Sequence, residues 1–148
     1  MKKVPSIKLS IYTEPDYNYT AFVYRYTNII NGKIYIGYHV GMVDDGYFHS
    51  SECPEFLSVF TGSTPCLEYE VLHYGTNKQM KTKEHIMLKS VKAKSNKQYY
   101  NRSNGSPAYY IPSLALAREW VKRIESGEFD KGKLPLERFD GIQSVQTR

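Results

Sequence analysis

Asn31-Gly32, set between two runs of aromatic and β-branched residues, constrains this chain more than any other feature. The stretch Phe22 to His39, FVYRYTNIINGKIYIGYH, reads as a β-hairpin, because Asn-Gly favours the positive φ angles of a two-residue type I′ turn. Such a turn sets Ile30 opposite Lys33. From there Tyr24 falls opposite His39, Tyr26 opposite Gly37 and Asn28 opposite Tyr35. Opposed residues, and residues two apart, share a face. One face then carries Tyr24, Tyr26, Asn28, Tyr35, Gly37 and His39. The other carries Val23, Thr27, Ile29, Ile34, Ile36 and Val40, with Arg25 across from Tyr38. The second is an ordinary core face. The first gathers phenols, an amide and an imidazole, groups that donate, accept and transfer protons. They surround a glycine that leaves room for a backbone to approach. The plainer explanation is that tyrosines suit strands.

Composition sets the bounds. A chain of 148 residues is expected to form one domain with its own core. Tyrosine is abundant, at 14 residues, and the net charge of +5 fits a polyanionic partner. Cys53 and Cys66 have no metal-type spacing and do not make a disulfide framework, which points to a reducing, cytoplasmic setting. No stretch approaches the ~20 apolar residues of a membrane span, and the N-terminus lacks the apolar run of a signal peptide.

Taken in order, residues 1–19 read as an irregular lead-in broken by Pro5 and Pro15, with a short edge strand at Ile7, Leu9 and Ile11. Lys2, Lys3 and Lys8 read as a solvated tail. After the hairpin comes a Gly-, Asp- and Ser-rich loop, then a short helix from Pro54. Cys66 to Tyr74 alternates and predicts a third strand. Thr76 or Asn77 caps a helix over Lys78 to Lys92. Its apolar stripe is Met80, Met87, Leu88 and Val91, and Glu84 lies inside it. A carboxylate there requires a cation, a hydrogen-bond partner or a place at the stripe's edge. Lys78 to Arg102 holds eight basic residues against Glu84 alone, with Tyr99 and Tyr100 near its end, a pattern that fits nucleic-acid contact. Ser103 to Pro112 reads as a linker. Ser113 caps a helix over Leu114 to Glu125, expected to pack on the sheet, and 128–148 reads as extended. The expected fold is α+β: a small three-stranded antiparallel sheet flanked by helices over 20–102, with an extra C-terminal helix in 103–148.

These residues resemble the GIY-YIG nuclease family. Tyr35-Ile36-Gly37 is its second signature verbatim. Phe22-Val23-Tyr24 stands where the first belongs, with ten residues between the two, and Asn31-Gly32-Lys33 occupies the turn. Asp44-Asp45-Gly46-Tyr47, with His39 after the second signature, is similar to the free-standing homing endonucleases of phages and mobile elements. Glu84 in a helix matches the family's metal-binding glutamate, and Tyr100-Asn101 its closing Tyr-Asn pair. The resemblance spans about Thr20 to Asn101. Two departures stand out. Phe22 replaces the family's first glycine. The arginine that members carry about ten residues after the second tyrosine is missing, since none occurs between Arg25 and Arg102. His39, His49 and Lys33 are the candidates to replace its charge.

The resemblance implies a phosphodiester hydrolase in which Glu84 holds Mg²⁺, or another divalent cation such as Mn²⁺. Tyr24, beside His39, activates water; Tyr35 orients the phosphate, and Asn101 hydrogen-bonds within the site. His49, in a His-Ser-Ser segment found in some members, is the alternative to His39. Lys33, Tyr47, Lys81, Lys97 and Arg102 are the expected DNA contacts. A monomer or weak dimer of one small domain would nick DNA one strand at a time. The competing readings are a DNA-binding protein that has lost catalysis with its arginine, and a protein-interaction module built on the C-terminal helix.

Overall fold

The structure is a computed structural model in which residues 6–126 and 143–144 are described, the last pair by backbone alone. Its centre is a four-stranded mixed sheet in the order β1-β4-β2-β3, formed by Ile7–Ile11 (β1), Ala21–Asn28 (β2), Ile34–Val40 (β3) and Leu67–Gly75 (β4). Strand β2 runs antiparallel to both neighbours, and β1 adds to β4 in parallel. The expectation of three antiparallel strands is therefore corrected. Ile7 to Ile11 forms the extra strand, because an alternating segment finds its backbone partners along the outer edge of β4. Lys8 is exposed beside a register irregularity, and Lys2 and Lys3 lie outside the described residues.

The hairpin forms with a longer loop than Asn-Gly predicts. The amide of Asn28 donates to Lys33 O, and the Gly32 amide donates to Asn28 O, closing residues 29–32 into a four-residue loop. Only Gly32 takes a positive φ, +74°, whereas a type I′ turn needs two such residues. The competing influence is Asn28, whose side-chain oxygen accepts from the Ile30 amide and bends the chain early. The register consequently moves by two: Tyr24 pairs with Gly37, Tyr26 with Tyr35 and Phe22 with His39. A slip of two keeps every side chain on its face, where a slip of one would have inverted them all.

The two faces are covered differently. On one, Pro54–Phe60 (α1) and its flanking loops close an aromatic core of Phe22, Tyr24, Tyr26, Tyr35, Tyr69 and Tyr100. On the other, Asn77–Ser90 (α2) lays Met80 and Leu88 on Val23 and Ile36. Leu114–Glu125 (α3) then packs Ala117, Trp120 and Ile124 against Ile86 of α2, and not on the sheet as expected. Being covered on two sides explains why α2 buries Thr82, Lys83 and His85, which a single apolar stripe does not predict. Tyr100 is likewise buried in the core, its hydroxyl accepting from Asn28 Nδ2, and is unavailable to nucleic acid. Strand β4 carries a bulge opposite Val23 and Tyr24 that returns Tyr74 to the aromatic side.

The expected linker is tied down. Both nitrogens of the His85 ring are engaged: Nδ1 lies 2.7 Å from Asn104 O, and Nε2 accepts from the Ile111 amide. Lys89 donates to Ile111 O. Tyr109–Tyr110 (β5) pairs with Gln143–Ser144 (β6). The remainder of the expected extended tail lies outside the described residues.

Candidate active site

Strand β3 is an edge of the sheet, so alternate residues point backbone groups outward and each needs a partner. Ile34 is met by the chain itself: its amide donates to Gln98 O and its carbonyl accepts from the Tyr100 amide. Ile36 is met by Asn101, whose Oδ1 accepts from the Ile36 amide at 3.0 Å and whose Nδ2 donates to the Ile36 carbonyl at 2.7 Å. At Tyr38 the outward amide faces the Glu84 carboxylate and favours its charged form. Three outward positions in succession thus fix segment 98–100, Asn101 and Glu84 along one edge.

Beyond this edge opens a cleft of about 440 Å³, whose walls include Tyr35, Glu84, Asn101 and Arg102, closed by the Ser50–Pro54 loop and by Gly105. Burial lifts the Glu84 pKa to about 7, against smaller opposing effects of the Tyr38 amide and Lys81. Gly105, at φ +79°, lies so close that a side chain there would meet Glu84 Oε1 at 2.7 Å. Burial also raises the Tyr35 pKa above its ordinary value, and its ring stacks on Phe56 at 4.8 Å. Exposed Arg102 is the arginine that reaches this cleft.

A second constellation lies behind Tyr35. The Tyr24 ring covers Gly37, where a Cβ would stand 2.4 Å from the Tyr24 hydroxyl. The room left by this glycine is therefore filled by a phenol, not by a backbone. Tyr24 is fully buried, its pKa is driven well above the ordinary value by burial, and its hydroxyl lies 3.1 Å from that of Tyr47. Tyr47 in turn bonds Ser50 Oγ and stacks on the His39 ring at 3.7 Å. His39 Nε2 meets Asp45 Oδ2 at 2.7 Å. The expected pairing of Tyr24 with His39 is corrected by the two-residue register shift: Tyr47 lies between them.

The remaining expected residues fall into place as follows. His49 packs on Phe56 and Phe60 beside Tyr35; its Nδ1 accepts from the Ser51 amide, and burial lowers its pKa. Lys33 is held by Glu55 and lies over the Tyr100 ring. Lys81 borders a neighbouring groove, and Lys97 is exposed. Asp45, Ser50 and Gly105 were missed as contributors. Gly105 could have been found only as an isolated glycine between Asn and Ser.

Glu84 is the side chain in the cleft that could hold a hard divalent cation. Glu84 is a largely buried carboxylate without an adjacent counter-charge sufficient to hold its pKa down, and hydroxyls of Ser50 and Ser51 share the walls. Among the described residues no group of three or more His, Cys, Asp or Glu side chains is placed to share one ion. The carboxylates in the cleft wall are the largely buried Glu84 and the exposed Glu52. Asn101 has both amide atoms committed to Ile36 and acts as a clamp on the edge.

No protein-family model matches the chain, and no curated protein or solved structure matches it either. No described helix is long and apolar enough to cross a membrane.

Proposed function

We propose that the protein is a metal-dependent DNA endonuclease resembling the GIY-YIG family. The observation that carries this reading is the convergence of Tyr35, Glu84, Asn101 and Arg102, from distant parts of the sequence, on one cleft at the β3 edge. A divalent cation on Glu84 would supply charge neutralisation at the phosphate and acidification of a bound water. The protein's own groups do the rest. Tyr35 is kept protonated by its burial, so its hydroxyl donates to a phosphate oxygen and does not serve as base. Arg102 presents its guanidinium to the phosphate from the cleft's rim, in place of the arginine missing earlier in the chain. Asn101 holds Ile36 and with it the strand that carries Tyr35. Tyr24 acts by position, filling the space over Gly37 and bracing Tyr47.

The test is a supercoiled-plasmid assay. The parent protein with Mg²⁺ converts plasmid to nicked circles, and EDTA abolishes conversion. Intact plasmid in both arms, with the protein bound, would replace hydrolysis by binding alone. One observation favours that second reading: both signature phenols are held protonated by burial, and the cleft contains one buried carboxylate.

A further inference from the structure

Gly105 also borders a second groove, of about 790 Å³, on the other side of the segment that covers Glu84. Its floor is the first two turns of α2, where Lys78 and Lys81 stand one turn apart on one face. Its far wall is segment 105–110, ending in Tyr109 and Tyr110. Among the described residues no carboxylate lines it, and Lys78 has no side-chain ion pair or hydrogen bond. The Tyr110 ring is already oriented: Lys89 Nζ sits 4.5 Å from its centroid and the His85 ring 5.5 Å away, while 44 % of the residue remains exposed.

We propose that this groove binds single-stranded nucleic acid, with backbone phosphates on Lys78 and Lys81 and a base against Tyr110. The two kinds of contact are what single strands require. Lysines neutralise phosphates without reading sequence, and an exposed, pre-oriented phenol ring stacks any unpaired base. A duplex offers its phosphates but keeps its bases stacked on one another, so Tyr110 selects for the single strand. The volume falls in the range of small-molecule sites, enough for a nucleotide unit and not for a duplex. The groove deepens the nuclease reading and rests on it for its role: it names the surface that would hold a strand leading away from Glu84 across Gly105.

The experiment is fluorescence anisotropy of labelled oligothymidylate with the full chain in EDTA, so that binding is measured without cleavage. Lys78→Gln with Lys81→Gln weakens binding by about 10-fold or more and makes the salt dependence shallower by about 1.4 in log–log slope, for two phosphates lost. Tyr110→Leu weakens it by roughly 5- to 100-fold. The lysine pair lies at the surface, so that variant stays informative if Tyr110→Leu loosens the fold. Parent-like binding by the lysine variant, or equal affinity for a duplex of the same length, overturns the groove. Strand binding that responds to these substitutions in a protein that never nicks plasmid upholds the groove and refutes the nuclease reading. Nicking by a protein whose strand binding ignores them does the reverse.

Discussion

At the scale of single residues, two positions carry most of the account. Gly37 is a glycine because the Tyr24 ring lies where its side chain would be. Gly37→Ala must displace a fully buried phenol in the aromatic core, so it is expected to cost about 1–3 kcal/mol, read from urea unfolding. It also disturbs Tyr47 and the His39 stack beyond it. Glu84 is the second position. Its folded pKa, about 7, lies above its ordinary value of 4.5 because of burial. The folded state therefore holds an extra proton between pH 7 and 4.5, and stability from this group rises as pH falls through that window. Above pH 7 the charged carboxylate costs up to about 3 kcal/mol. In chelator, Glu84→Gln is expected to be more stable than the parent at pH 8, with the advantage vanishing toward pH 4.5. His73, whose pKa is lowered to about 4 by burial, works in the opposite sense below pH 6.5, so the difference between variant and parent isolates Glu84. A parent that is the more stable at pH 8 would show that Glu84 is not strained by its cleft. Sequence placed Glu84 inside an apolar stripe and so exposed the conflict. It gave no sign of the Tyr38 amide, which is a property of a strand edge.

At the scale of elements, what was legible followed from periodicity and capping. The range of α3 and its Ser113 cap, which accepts from the Leu116 amide, agree with the sequence reading. So does the start of α1 at Pro54. The face assignment of the hairpin was legible although its register was not, because face depends on parity and register on loop geometry. The start of α2 and its Thr76 cap were legible too, but its buried faces were not, since a helix covered by both sheet and α3 has no single stripe. The clamp of 104–111 was invisible for a related reason: a histidine on a helix does not announce which backbone it will meet. His85→Leu keeps an apolar side chain in place but removes both bonds to that segment. Amide exchange at Ile111 is expected to accelerate about 10-fold or more, with little change at Ile36. Unchanged exchange at Ile111 would mean that Lys89 alone holds the segment.

At the scale of the whole molecule, the sheet separates two tasks. One face is a nearly continuous aromatic core that fixes Tyr24 and Tyr35 from behind; the other stacks α2 and α3 and presents Glu84 at the strand edge. The cleft lies where the two meet, bounded by the Gly105 segment and backed by a basic groove. Charge is arranged accordingly: the +7 of Lys78 to Arg102 exceeds the +5 of the entire chain, which predicts DNA affinity that falls steeply with salt. Composition showed that asymmetry, but not that Lys83 is buried or that Arg102 reaches the cleft.

The most direct measurement is the single-turnover nicking rate of Glu84→Gln beside the parent, on supercoiled DNA with saturating Mg²⁺. The account predicts a loss on the order of 10²-fold or more, with DNA binding in EDTA unchanged. A variant that nicks as fast as the parent would contradict it, whatever the cleft looks like.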